Sequence, residues 1–394
     1  MRRKAFCLLI VLCMLFSGSP MSALAGTNTS DNSTVVKSEL SFGDSTGEFS
    51  DTDDLLSLYL DETLKDRLDK HVNPLGLSRD LKADMSETTA KVYEILKARV
   101  TEVANGQQTS TSVSLSLPDD LGLTISGEAD TVEEASADAY AKLELDTDTI
   151  VNVLMANCPY DLYWYDKTKG YSWGCSYSYS SSSEEGPFTV TLQDLSFSFS
   201  VAEEYAGAGD YTVDANKIAS IQTAVDTITS VVEEYSGLGD YDKLTAYKDR
   251  ICELTSYNYE AAGNTSTPYG NPWQLIWVFD NDPATTVVCE GYAKAFQYLC
   301  DLSDFAGDIN CYSVTGTMDG GTGAGAHMWN IVHMDDGLNY LVDLTNCDEG
   351  TIGAPDQLFL AGVSAGSVES GFTVNCSTGN VDYVYDQNTK CLRV

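Results

Sequence analysis

The chain has 394 residues, of which 43% are hydrophobic and 10% aromatic, enough to build cores for two or three domains. Its formal net charge of −37 repels phosphate backbones and anionic headgroups, which argues against nucleic-acid or membrane-surface partners.

The first residues, Met1-Arg2-Arg3-Lys4, form a positive region ahead of an apolar run over 5–16, with small residues at Ala23-Leu24-Ala25. Residues 1–25 therefore read as a secretory signal peptide, and a secreted, extracellular or cell-surface location follows. The apolar run is too short to stay in a bilayer, so no membrane insertion is expected after cleavage. Of 11 cysteines, Cys7 and Cys13 fall in this segment, leaving nine. An odd count in an exported chain leaves at least one thiol outside intramolecular disulfides. With three histidines, no C-x-x-C pair and no EF-hand loop, neither a metal nor a cofactor is expected.

Residues 26–50 are polar and read as a flexible leader, followed by a mixed α/β accessory domain over 51–205. Its apolar spacing predicts helices near 53–70, 86–106, 131–143 and 147–157. Alternating residues predict strands at Val113-Leu115-Leu117, at Leu121-Leu123-Ile125 and over 188–201. Between Cys158 and Cys175 two aromatic strands are expected around a turn at 166–170, with a disulfide between those cysteines as one option. Beyond a glycine joint at 206–209, helices are expected near 212–235 and 241–256, opening a second domain over 206–394.

That second domain carries the chemistry. From Tyr292 the apolar positions Tyr292, Ala295, Phe296, Leu299 and Cys300 follow a helical stripe, so Cys289 stands at the N-terminal end of a buried helix. Free backbone N–H groups and the dipole at such an end favour thiolate over thiol and offer a donor to an oxyanion. Further on, a glycine-rich run over 320–326 leads into His327-Met-Trp-Asn-Ile-Val-His333. The chain turns at 335–337 and returns through Leu338 to Thr345. With a three-residue loop, Met334 faces Leu338, His327 lies opposite Thr345, and Asp343 is the diagonal neighbour of His327 on the same face. A loop one residue shorter would put the two on opposite faces. An imidazole base oriented by a carboxylate accounts for two polar groups on a face otherwise made of Trp329, Ile331 and Leu341. His333, near the turn, is expected at the surface.

The runs Cys289-Glu-Gly-Tyr-Ala-Lys-Ala-Phe296, Ala326-His-Met-Trp-Asn-Ile-Val332 and Tyr340-Leu-Val-Asp-Leu-Thr345 resemble the core of the transglutaminase-like superfamily. The likeness covers about 240–394 and is nearest to the secreted, cysteine-dependent members of Gram-positive bacteria. It implies an α+β, papain-like transglutaminase core in which the nucleophile helix packs on an antiparallel sheet. Cys289 would be nucleophile, His327 base and acid, and Asp343 the orienting group. An aromatic residue ahead of the cysteine, Trp273 or Trp277, would be the second oxyanion donor or simply core.

Such a site implies acyl transfer through a thioester on a protein or peptide substrate, with the cell wall as one setting. Water as acceptor makes the enzyme a peptidase or amidase; a lysine amine makes it a crosslinking transglutaminase. A non-catalytic cell-surface binding protein on the same fold is the rival of another class. No amine-binding element is legible, which favours hydrolysis.

Overall fold

The computed structural model describes residues 72–73, 76–77, 85–181, 187–320, 323–348, 355–362, 365–368, 371–377 and 379–385. The expected signal peptide over 1–25, the expected leader over 26–50 and the helix expected near 53–70 lie outside them.

After a short antiparallel pair of residues at 72–73 and 76–77, the chain forms α1 (Glu87–Ala104), whose first turn is capped by the Ser86 hydroxyl accepting from the Thr89 N–H. Strands β1 (Ser112–Ser116) and β2 (Ser126–Ala129) lead to α2 (Val132–Leu143) and α3 (Thr147–Asn157). Thr131 and Asp146 cap these helices from their side chains. Strands β3 (Tyr171–Ser181) and β4 (Phe188–Phe199) follow.

Two compact units result. The first, Ser112–Leu145 with Tyr171–Ser198, is an antiparallel sheet in which β4 pairs with β1, β2 and β3, joined by α2. Gly127 of β2 fits under α2 because a Cβ there would lie 2.1 Å from the Ala135 carbonyl oxygen. The second unit takes the described residues up to 111, including α1, together with 146–170 and those from 199 onward, so each unit is built from more than one stretch of chain.

The segment 158–165 is a run of turns and not the first of two aromatic strands. Tyr163, Trp164 and Tyr165 are all buried, so the stretch has no solvated face on which to alternate, and it folds through local bonds such as Tyr163 N–H to the Tyr160 carbonyl. No disulfide joins Cys158 to Cys175. The helix expected over 212–235 is two pieces, α4 (Ala215–Ala219) and α5 (Gln222–Glu234), before α6 (Asp240–Leu254).

The second unit centres on α7 (Cys289–Asp301) against a seven-stranded antiparallel sheet. The strands are β5 (Asn310–Gly320), β6 (Gly323–His333), β7 (Asn339–Val342), β8 (Phe359–Ala361), β9 (Ala365–Val368), β10 (Gly371–Cys376) and β11 (Gly379–Tyr385). Their spatial order is β8-β7-β6-β5-β11-β10-β9. The protein is thus α+β with antiparallel sheets. Among the described residues no helix is long and apolar enough to cross a membrane.

Candidate functional site

The site begins with the entry into α7. Val288 is extended, and its N–H is held by the Pro272 carbonyl, while Val287 is held by the Ser256 carbonyl. The chain enters the helix with Gly291 packed tightly on the preceding strand-like segment, where a Cβ would lie 2.6 Å from the Val287 Cβ. This puts Cys289 in the first turn, 7% exposed, where its N–H has no place in the intrahelical ladder. Asn330 of β6 donates to the Ala293 carbonyl at 3.0 Å, and the Ser313 N–H of β5 donates to Gln297 at 3.0 Å, fixing helix against sheet.

The hairpin has the register read from the sequence: Asn330 faces Val342, His333 faces Asn339, and the Met334 N–H donates to the Leu338 carbonyl. The returning strand, however, stops at Val342. Asp343 leaves the sheet and N-caps the short helix α8 (Leu344–Cys347), accepting from the Asn346 N–H. From there its carboxylate still reaches the imidazole, with His327 Nε2 2.9 Å from Asp343 Oδ2. Since Nε2 is used by the carboxylate, Nδ1 is the ring nitrogen left to face Cys289, whose sulfur is near enough to favour the charged ring. Trp329 stacks near the ring at 6.1 Å between centroids. Cys289, His327 and Asp343 are therefore brought together by three different elements.

Burial works against a charged imidazole here, but the Asp343 carboxylate and the Cys289 sulfur outweigh it and push His327 up to about 10. Asp343 is fully buried; burial opposes its charge, yet His327, Tyr383 and Asn346 hold its carboxyl below the usual range. The Tyr383 hydroxyl of β11 donates to Asp343 Oδ2 at 2.6 Å, as does Asn346 Nδ2 at 2.6 Å. Neither partner was singled out in the sequence. Asn346 follows Asp343 by three residues, a spacing typical of a cap, whereas Tyr383 arrives through strand pairing that no local pattern announces.

Tyr257 was also missed. It is half-buried beside the start of α7, where residue 257 bridges Val287, and burial, then Cys289 and Asp343, push its hydroxyl upward. Trp273 instead packs in an apolar cluster with Ala261, Tyr269 and Val288, and Trp277 is half-buried on a short helix at Ile276–Phe279.

His333 is buried rather than at the surface, because its Nδ1 bonds Asn339 Oδ1 across the hairpin at 2.9 Å.

Next to Cys289, the Glu290 side chain enters a buried polar cluster. Lys167 lies 3.0 Å and Lys294 2.7 Å from its carboxylate, and the Tyr269 hydroxyl donates to it at 2.7 Å. Burial opposes the Glu290 charge, but the two ammonium groups hold it down at about 2. Lys167 belongs to the segment the sequence placed in the accessory domain, and here it is part of the unit that carries α7.

No protein-family model matches the sequence, and no curated protein matches it. Among solved structures the chain is similar to one described as a crystal structure of a TGase, at 16% identity and a TM-score of 0.26. The match covers 50% of this chain and 47% of that one, so the chain spans about half of that protein's length. A likeness of that size carries no argument about activity.

Proposed function

We propose that the protein is a secreted, cysteine-dependent acyl-transfer enzyme on a papain-like, transglutaminase-like core, acting on peptide or carboxamide bonds. The observation that supports it is the alignment of a helix-start thiol, an imidazole and a buried carboxylate, with His327 Nε2 2.9 Å from Asp343. In this reading the imidazolium is the counter-charge of a Cys289 thiolate, which attacks the carbonyl carbon. The Cys289 N–H and the Tyr257 hydroxyl are the two donors for the oxyanion. His327 then protonates the departing nitrogen, leaving a thioester, and takes a proton from the incoming nucleophile that resolves it.

Water is the acceptor proposed, which makes the activity that of a peptidase or amidase. Incubation with a glutamine-containing peptide and a labelled primary amine tests this: release of ammonia without label supports hydrolysis, and label incorporation assigns a crosslinking transglutaminase instead. Iodoacetamide labelling separates both from a non-catalytic binding protein. Cys289 alkylated no faster than a free thiol, and no faster than in His327→Ala, would defeat the enzymatic reading.

A further inference from the structure

The cluster beyond Glu290 holds a second set of reactive groups that the acyl-transfer chemistry does not use. Lys294 follows Glu290 by one helical turn and is 5% exposed; Gln274, from the segment ahead of α7, is 1% exposed. Lys294 Nζ is 2.9 Å from Gln274 Oε1 and 2.7 Å from Glu290 Oε1. On its other side the Gln274 carboxamide donates from Nε2 to the Tyr269 hydroxyl at 3.1 Å, and that hydroxyl donates to Glu290 Oε1 at 2.7 Å. An amine, a carboxamide, a carboxylate and a phenol thus form one closed ring of contacts. Lys294, Gln274 and Tyr269 line a small cavity whose other walls are Met155, Pro159, Leu162, Tyr165 and Lys167, and its mostly apolar remainder limits competing water.

We propose that Lys294 and Gln274 join in an intramolecular isopeptide bond, with Glu290 and Tyr269 moving the protons. Lys294 passes one proton to Glu290, and its free amine attacks Gln274 Cδ. The Nζ–Cδ bond forms, and the second surplus Nζ proton reaches Nε2 by way of the Tyr269 hydroxyl. The Cδ–Nε2 bond then breaks, and ammonia leaves, taking the Glu290 proton to depart as ammonium. No oxidant or metal enters the balance. Burial, together with the Lys167 ammonium that shares Glu290, lowers Lys294 to about 8 against the pull of the carboxylate, which eases loss of its proton; Glu290, held at about 2, takes that proton uphill and only transiently. The bond would tie the segment ahead of the nucleophile to the second turn of its helix.

Peptide mapping of the folded full chain tests this directly, using a protease that cuts between 274 and 294. The expected result is a linked pair of peptides, lighter than their sum by one ammonia, in the wild type and equally in Cys289→Ala, since Cys289 takes no part. Glu290→Gln should yield the two peptides unlinked. Recovery of unmodified Gln274 and Lys294 peptides from folded wild type overturns the proposal without touching the acyl-transfer reading. Linkage lost in Cys289→Ala would overturn the self-contained mechanism and assign the bond to the enzyme's own acyl transfer.

Discussion

Replacing Asp343 by Asn keeps the shape of the site and removes the charge on which the imidazolium depends. In the intact protein burial disfavours His327-H⁺, yet the carboxylate, with a smaller contribution from the Cys289 sulfur, carries it from 6.5 to about 10. At about 1.4 kcal/mol per pKa unit, that lift corresponds to roughly 5 kcal/mol of preference for the charged ring. In Asp343→Asn the burial remains and the compensation goes, so His327 is neutral from about pH 6 upward. The sign for stability follows: this ionisation stabilises the wild type fully below about 6.5, and the contribution is lost as the pH rises through about 10. With only three histidines in the chain, imidazole NMR resolves the group. The expected record is a ring that stays protonated through pH 8 in wild type and is neutral there in the variant. The acyl-transfer rate should fall on the order of a thousandfold, with Cys289 alkylation falling in parallel at neutral pH. A wild-type His327 that titrates near 6.5 refutes the reasoning, whatever the variant does.

Tyr257→Phe should lower kcat by about a hundredfold with little change in KM, as expected for loss of one oxyanion donor; an unchanged kcat removes Tyr257 from the site. Tyr383→Phe deletes a buried hydrogen bond to a carboxylate and should cost about 1–3 kcal/mol in denaturant unfolding, with His327 losing its proton at a different pH from wild type. Glu290→Gln leaves the ammonium groups without their shared carboxylate, and a loss of about 3–5 kcal/mol is expected. Since the folded Glu290 is held at about 2, its contribution is present above about 4.5 and fades as the pH falls toward 2, so acid titration of stability should show a component absent from the variant. Gly291→Ala forces a Cβ to within 2.6 Å of Val287 and should destabilise by about 1–3 kcal/mol while displacing Cys289; an unaffected melting temperature and rate would show that the helix entry has slack.

What could be read in the sequence were the features carried by short-range periodicity. The stripe from Tyr292 to Cys300 placed Cys289 at a helix start, and the parity of a three-residue loop set the hairpin register that the structure has. Asp343 shows the limit of that reasoning. The register is right, but the residue reaches His327 from a helix cap, because the chain leaves the sheet one residue earlier. Tyr383 and Lys167 were illegible for a different reason. Each meets its partner across a long stretch of chain, 40 residues for Tyr383 to Asp343 and 123 for Lys167 to Glu290, and a lone tyrosine or lysine in an unremarkable segment carries no local sign of its destination. The aromatic run 158–165 misled because β-propensity describes a half-buried strand, whereas these side chains are buried on every side.

The sheet order has a temporal side. β11 pairs with β5 and so inserts residues 379–385 beside strands made much earlier. Cys289, His327 and Asp343 all leave the ribosome before Tyr383, so a chain still being made has its thiol and its base but lacks one donor that lets the carboxylate stay charged when buried. β11 then completes the setting of Asp343 after the other residues are made, and a chain cut short before residue 379 would carry Cys289, His327 and Asp343 with that electrostatic setting unfinished.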